Sequence, residues 1–233
     1  MGENLPIVLV PGLNCSPRLY APQLPRLWQA GPVTVANHTR DDTMAAIARR
    51  ILDAAPPRFA LAGLSMGGYV ALEIFRQAPG RVDRLALLDT GARADPPEAQ
   101  ATRRARMALA EGGKFDEMID AMWPALVHPD HRGERALQAE YTAMCHDVGP
   151  QAFVRQQKAI MARVDSRPLL PAIRCPALVL VGAQDELTPP HLADEMAAGI
   201  PGARLVKVPD CGHLSTIEQP EAVTRALMEW LAL

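Results

Sequence analysis

The sequence lacks any apolar run close to the length of a membrane-spanning helix. Its apolar runs, such as residues 7–10 and 177–181, are far shorter than the roughly 20 residues that such a helix needs. The first residues, Met1 to Asn4, also show no basic segment followed by an apolar one, so no signal peptide is visible. We therefore expect a cytoplasmic protein that does not enter a membrane.

An excess of charge of either sign is lacking too. The chain has 24 Lys and Arg against 26 Asp and Glu, which gives a formal charge of −2. No basic stripe interleaved with aromatic residues is present, and nucleic-acid binding requires such a surface. The sequence therefore predicts no nucleic-acid partner.

Cysteine is scarce and scattered. The four cysteines are Cys15, Cys145, Cys175 and Cys211. Because none of them has Cys-x-x-Cys spacing, the pattern is typical neither of a zinc cluster nor of a disulfide framework. We expect reduced thiols and no metal site.

What the chain does have is enough apolar residues to bury a sizeable core. Its 233 residues are 48% hydrophobic and 21% charged. This length suits one large domain, or one domain that carries an insertion. We expect an ordinary globular protein.

Short aliphatic segments alternate with longer segments of helical periodicity. The aliphatic segments predict strands near residues 6–10, 33–36, 58–62, 85–89, 177–182 and 205–208. The others predict helices over residues 43–54, 66–77, 190–199 and 220–231. Such alternation predicts an α/β fold, with a mostly parallel central sheet of about six strands that is flanked by helices.

One long segment, from residue 91 to about residue 171, breaks this alternation. It contains no strand-like run, and its spacing predicts four helices, near residues 97–111, 115–126, 133–145 and 150–163. We therefore expect residues 1–91 and 172–233 to form an α/β core and residues 92–171 to form an all-helical cap.

Apolar residues near this cap are candidates for a substrate pocket. They are Met122 and Trp123 in the cap and Leu214 in the core. Helical periodicity by itself favours the simpler interpretation that the cap residues pack the cap onto the core. Arg103, Arg104 and Arg106 would suit a docking face for an acidic carrier protein, although the pattern favours a solvated helix face.

The strongest motif is a strand, a sharp turn and a helix, with G-x-S-x-G at the turn. A serine on so tight a turn has a strained backbone, and Gly63 and Gly67 avoid collisions with the neighbouring strand and helix. The turn predicts that the Ser65 hydroxyl stands above the carboxyl edge of the sheet as a nucleophile. The backbone N–H of Met66, at the start of the helix, is free to bind an oxyanion.

A nucleophilic serine needs a base, and the base needs a carboxylate that orients it. Among the six histidines, His213 follows the last predicted strand in a glycine-containing loop at the same sheet edge. The other five, His38 among them, are predicted to be surface or packing residues. Asp89 and Asp185 both reach this edge, and the chain order Ser, Asp, His favours Asp185. Asp89 would then cap the insertion or bond a backbone amide.

A second oxyanion donor is expected in the loop after the first strand. Gly12 lets the backbone turn there, so the N–H of Leu13 can face the site. The sequence thus predicts an oxyanion hole built from the amides of Leu13 and Met66.

With these residues in place, the chain resembles the α/β-hydrolase fold superfamily over essentially its whole length. The resemblance is carried by residues 8–12, 63–68, 176–185 and 211–214. It implies a helical cap that roofs the pocket, and activities such as those of esterases, enol-lactonases and carrier-protein methyl esterases. A serine nucleophile speaks against the haloalkane dehalogenase and epoxide hydrolase branches. The loop Pro11-Gly12-Leu13-Asn14 lacks the His-Gly-Gly-Pro-Gly run of proline iminopeptidases, which speaks against a peptidase.

We therefore expect a capped serine hydrolase of small carboxylic esters, thioesters or lactones, which works through an acyl-enzyme and needs no cofactor. Acyl transfer and hydrolytic carbon–carbon cleavage would use the same triad and remain alternatives. A hydrolase-like receptor that holds a small molecule without turnover is the alternative from another class. Nothing in the sequence indicates an oligomeric state.

Overall fold

A single six-stranded sheet forms the centre of the computed structural model, which describes residues 5–233. The strands are β1 (Ile7–Val10), β2 (Val33–Val35), β3 (Phe59–Leu64), β4 (Val82–Leu88), β5 (Ala177–Gly182) and β6 (Arg204–Val208). Every neighbouring pair is parallel, in the order β2-β1-β3-β4-β5-β6. The predicted α/β class and the parallel sheet are confirmed.

Ten α-helices accompany the sheet in the described part of the chain. They are α1 (Leu24–Ala30), α2 (Met44–Ala54), α3 (Met66–Gln77), α4 (Pro97–Glu111), α5 (Phe115–Met122), α6 (Arg135–Val148), α7 (Pro150–Met161), α8 (Pro190–Gly199), α9 (Ser215–Glu218) and α10 (Pro220–Leu231). Local signals account for several ends: the Thr43 hydroxyl caps α2 by accepting the Ala46 amide at 3.2 Å. The sequence does not predict the short helices α1 and α9. No helix in residues 5–233 is long and apolar enough to cross a membrane.

Both faces of the sheet are buried under helices. Successive strand residues alternate between two apolar clusters, so that Leu9 faces the cluster containing α1 and α10, and Val8 faces the cluster containing α2, α3 and α8. This double burial explains why the strands read as nearly continuous aliphatic runs.

Residues 89–176, between β4 and β5, contain helices α4 to α7 and no strand. We call residues 92–171 the helical insertion. Its residues Phe115, Met118 and Phe153 share an apolar cluster with Leu180 of the sheet. The insertion therefore packs directly onto the core, and its division from the core as a separate cap stays a prediction.

Candidate active site

Ser65 lies on the turn between β3 and α3 in a conformation that few side chains adopt. Its φ and ψ are 55° and −115°. A Cβ atom on Gly63 would overlap the carbonyl oxygen of Gly67, and a Cβ atom on Gly67 would overlap that of Val10. The glycines thus allow β3, α3 and β1 to approach closely enough to form the turn.

Two hydrogen bonds hold this turn against β4 and the chain that follows it. The Ser65 amide donates to the Leu88 carbonyl at 2.9 Å, and the Thr90 hydroxyl donates to the Ser65 carbonyl at 2.8 Å. The backbone of the strained residue is therefore fixed on both sides, which stabilises a conformation that is unfavourable by itself.

A chain of hydrogen bonds joins Ser65 to His213 and Asp185. The Ser65 Oγ and His213 Nε2 atoms are 2.8 Å apart, and His213 Nδ1 is 2.8 Å from Asp185 Oδ2. All three residues are buried. Thr188 donates its amide to Asp185 Oδ1 at 2.8 Å and its hydroxyl to Oδ2 at 2.6 Å, which fixes the carboxylate.

The electrostatics of this chain keep the carboxylate ionised and stabilise the protonated form of the histidine. Burial lowers the pKa of His213, but the charge and hydrogen bond of Asp185 outweigh burial and raise it above its ordinary value. Burial raises the pKa of Asp185, and the contacts with His213 and Thr188 bring it below the ordinary value. When His213 is neutral, its Nδ1–H donates to Asp185, which leaves the Nε2 lone pair facing Ser65.

Asp89, the other acid at this edge, takes a different role. Its Oδ1 accepts the Gly182 amide at 2.9 Å, and its Oδ2 contacts the Ser215 hydroxyl. Burial and the charge of Asp185 raise the pKa of Asp89 well above its usual range, which favours the protonated form of this carboxyl group. Asp89 links β4, β5 and α9 and does not bond His213.

The amides of Leu13 and Met66 are both open. Within residues 5–233, no protein group accepts a hydrogen bond from either of them. Met66 is the first residue of α3, where helical amides have no internal partner. Leu13 and Ser65 line the same cavity.

The loop that carries Leu13 is held by two residues that the sequence did not single out. His38 is buried, and its Nε2 atom lies 2.9 Å from the Gly12 carbonyl oxygen. Gln156 of α7 accepts the Asn14 amide at 3.0 Å. The prediction of His38 as a surface or packing residue is therefore incomplete: it is buried, but as a partner of the backbone. No local pattern reveals this, because its partner lies 26 residues away.

The helical insertion forms hydrogen bonds with the loop that carries His213. The amides of His213 and Leu214 both donate to the Leu126 carbonyl at 3.0 Å. Glu218, whose side chain is buried, accepts the Gly212 amide at 2.9 Å and the His128 amide at 2.7 Å. The position of the imidazole thus depends on both the core and the insertion.

A cavity of about 460 Å³ opens on Ser65 and His213. Met122 and Leu214, two of the predicted pocket residues, line it. Trp123, the third, does not, which corrects the prediction. Its indole stacks on the Tyr141 ring at 5.9 Å and donates to the Arg132 carbonyl at 2.9 Å, so it lies behind the lining.

The charged side chains that line this cavity are mostly arginines, with one carboxylate among them. They are Arg93, Asp95, Arg103, Arg106 and Arg163. Arg103 and Arg106 lie about one turn apart on α4, and both line the cavity, whereas Arg104 is exposed. The expectation of one solvated arginine face is therefore wrong for two of its three members.

No group of three or more His, Cys, Asp or Glu side chains within residues 5–233 is placed to hold a metal ion. The four cysteines are free thiols.

Known proteins resemble this chain along its whole length. The model of the alpha/beta hydrolase family matches residues 7–226. An esterase of Thermogutta terrifontis, solved with malate bound, is 33% identical, with a TM-score of 0.88 over 100% of this chain and 91% of its own. An enol-lactonase of Burkholderia xenovorans LB400 is 27% identical, with a TM-score of 0.90 over 100% of this chain and 93% of its own.

A curated relative from Mycobacterium tuberculosis, provisionally named non-heme bromoperoxidase BpoC, is 29% identical over 99% of this chain and 95% of its own length. Relatives with different named activities thus share the fold. Since the family model covers nearly the whole chain, this protein belongs to the alpha/beta hydrolase family.

Proposed function

We propose that this protein is a serine hydrolase of small carboxylic esters, thioesters or lactones. The observation that carries the proposal is the hydrogen-bonded chain from Ser65 through His213 to Asp185, which opens on a cavity large enough for a small ester. The esterase and the enol-lactonase among the similar structures support the same class of substrate.

The first half of the reaction forms an acyl-enzyme. His213 Nε2 takes the proton of the Ser65 hydroxyl while Oγ attacks the carbonyl carbon of the substrate. Asp185 stabilises the imidazolium that results. The tetrahedral intermediate then expels the alkoxide or thiolate, which receives the proton from His213 and leaves as an alcohol or thiol. With a lactone, the leaving oxygen stays attached to the acyl chain.

The second half releases the acid. His213 takes a proton from a water molecule, whose oxygen attacks the acyl carbon, and the second tetrahedral intermediate expels Ser65 Oγ. The proton returns from His213 to the serine. The balance is one water consumed for each carbonyl–oxygen or carbonyl–sulfur bond cleaved.

The amides of Leu13 and Met66 would stabilise the oxyanion of both intermediates. Each such donor is worth about 3–4 kcal/mol of transition-state stabilisation. In a trans peptide the C=O and N–H bonds point in opposite directions. The hydrogen bond from His38 to the Gly12 carbonyl therefore sets the direction of the Leu13 N–H, which belongs to the same peptide unit.

A fluorophosphonate probe tests the proposal without presuming a substrate. We expect one adduct by intact mass on the parent protein and none on Ser65→Ala or on heat-denatured parent, because only an activated serine reacts. Peptide mapping should place the adduct on Ser65. An equal adduct on Ser65→Ala, or a parent that stays unlabelled although its cavity admits small ligands, would overturn the proposal.

A further inference from the structure

Arg106 differs from the other arginines that line the cavity. Arg93 forms a paired contact with Glu195, with nitrogen–oxygen distances of 2.7 and 2.9 Å. Arg103 and Arg163 share Asp95. Within residues 5–233, Arg106 has neither a carboxylate partner nor a side-chain hydrogen bond, so its guanidinium is an unpaired charge in the cavity lining.

A second unpartnered polar group belongs to a residue of the same cavity lining. Tyr141 of α6 is only 1% exposed, and its buried hydroxyl has no hydrogen-bond partner in the described part of the chain. The Cys145 thiol lies near this hydroxyl but is a weak hydrogen-bonding group. A buried hydroxyl without a partner costs stability unless a ligand or water bonds it.

The charge balance of the lining also favours an anion. Among the described residues, the charged side chains of the lining comprise four arginines and the carboxylate of Asp95, which Arg103 and Arg163 already share. A cleft lined by one sign of charge with apolar walls concentrates ligands of the opposite charge. The positive charge of Arg106 is therefore available to a ligand.

We propose that the substrate carries a free carboxylate in addition to its reacting ester or lactone group. This carboxylate lies remote from the scissile carbonyl and binds the Arg106 guanidinium and the Tyr141 hydroxyl. This inference rests on the proposed function, because it places the reacting carbonyl at Ser65. A guanidinium presents parallel N–H donors that match the two oxygens of a carboxylate, and the phenol adds a third donor. The preferred substrates are thus monoesters of dicarboxylic acids, esters of hydroxy acids, or lactones that bear a carboxylate.

Matched ester pairs test this specificity in the full chain. On the acyl side, the monomethyl esters of succinate, glutarate and adipate are compared with neutral methyl esters of the same acyl length. On the alcohol side, carboxymethyl butyrate is compared with ethyl butyrate. The readout is the ratio of kcat/KM for the charged ester to that for the neutral ester.

In at least one pair, the parent should prefer the charged ester. Arg106→Gln should lower that ratio about 10- to 100-fold, the usual effect of losing a hydrogen bond to a charged group. Tyr141→Phe should lower it about three- to tenfold. Arg106→Lys keeps the charge but lacks the parallel N–H donors of the guanidinium, so its ratio should lie between those of the parent and Arg106→Gln. Arg104→Gln, on the exposed face of the same helix, is the matched control and should leave the ratio unchanged.

Binding of glutarate, measured by calorimetry, keeps the test independent of turnover. Arg106→Gln should weaken binding at least about tenfold, whereas Arg104→Gln should not. Equal ratios and equal glutarate affinity in these two variants would overturn the inference. If glutarate binds in an Arg106-dependent way but no ester is cleaved and no fluorophosphonate adduct forms, the proposed function fails while the carboxylate subsite stands.

Discussion

The Nε2 atom of His38 lies 2.9 Å from the carbonyl oxygen of Gly12. Burial lowers the pKa of His38 to about 4, so its ring is neutral at pH 7. Because a carbonyl only accepts hydrogen bonds, the contact with Gly12 is a hydrogen bond in the tautomer that carries the ring hydrogen on Nε2, and the side-chain nitrogen of Gln156 lies 3.1 Å from the same atom. The contact orients the peptide unit that contains the Leu13 N–H. The His38 side chain, from the segment after β2, therefore sets the direction of a backbone donor at the site.

We expect His38→Ala to lower kcat by about 10- to 100-fold with little change in KM. The Leu13 N–H would remain but lose its fixed direction, so the loss should stay below the roughly 10²- to 10³-fold that removal of a whole oxyanion donor costs. Steady-state kinetics with a small ester and the rate of fluorophosphonate labelling both measure this loss of activity. His191→Ala, at an exposed position, is the control. A change in KM alone would contradict the positioning role.

The two acids at the sheet edge should respond differently to the same substitution. Asp185→Asn should lower kcat/KM by about 10⁴-fold, because it removes the charge that orients and stabilises the His213 ring. Asp89→Asn should lower kcat/KM far less, since Asp89 does not bond His213 and the asparagine amide oxygen can still accept the Gly182 amide. Equal losses in the two variants would contradict these assignments.

The sequence predicts most of this fold because its signals are local. Strands that are buried on both faces appear as aliphatic runs, and a parallel sheet brings the carboxyl ends of all its strands to one edge. The proximity of Ser65, Asp185 and His213 follows from that rule. Helices α1 and α9 escape prediction because seven and four residues are too few to establish a helical period.

Other features depend on contacts that no short pattern contains. Arg103 faces inward because Asp95, which precedes α4, pairs with it and with Arg163, which follows α7, and this juxtaposition exists only after folding. Met122 lines the cavity and Trp123 does not, since the Trp123 indole stacks on the Tyr141 ring and donates to the Arg132 carbonyl.

Activity should be lost as the pH falls through the pKa of His213. The reaction needs the neutral ring, and the pKa of His213 lies above its ordinary value of 6.5 because Asp185 outweighs burial. The acid limb of kcat/KM should therefore have its midpoint above pH 6.5. Asp185→Asn should move the midpoint of its residual activity to lower pH. Without the Asp185 charge, burial lowers the pKa of His213. A midpoint that stays in place would contradict this account.

The buried Glu218 carboxylate should matter for both stability and turnover. Glu218→Gln turns an acceptor into a donor beside the Gly212 and His128 amides, so we expect a loss of about 2 kcal/mol of stability. Because the Glu218 charge helps to raise the pKa of His213, the acid midpoint should also move down. Thermal unfolding and the pH profile measure the two effects. Glu221→Gln, at an exposed position on α10, is the control and should show neither.

Asp95 should contribute more to stability than an exposed acid does. Its side chain is only 4% exposed and pairs with both Arg103 of α4 and Arg163, which follows α7. The Arg163 Nη1 atom lies 2.6 Å from Asp95 Oδ1. Asp95→Asn leaves two partly buried arginines without a carboxylate, and we expect it to lower the free energy of unfolding by about 3 kcal/mol. Asp194→Asn breaks the exposed pair with Lys207 and should cost less than about 1 kcal/mol.

Urea unfolding of the parent, Asp95→Asn and Asp194→Asn at several pH values measures this contribution. Burial raises the pKa of Asp95, but Arg103 and Arg163 together bring it below the ordinary value of 3.8. A carboxyl with a depressed pKa contributes stability that is complete above its unfolded pKa and is lost as the pH falls through its folded pKa. The difference between parent and Asp95→Asn should therefore be full at neutral pH and shrink below about pH 4. A difference that does not change with pH would show that packing, and not the ion pairs, accounts for the loss.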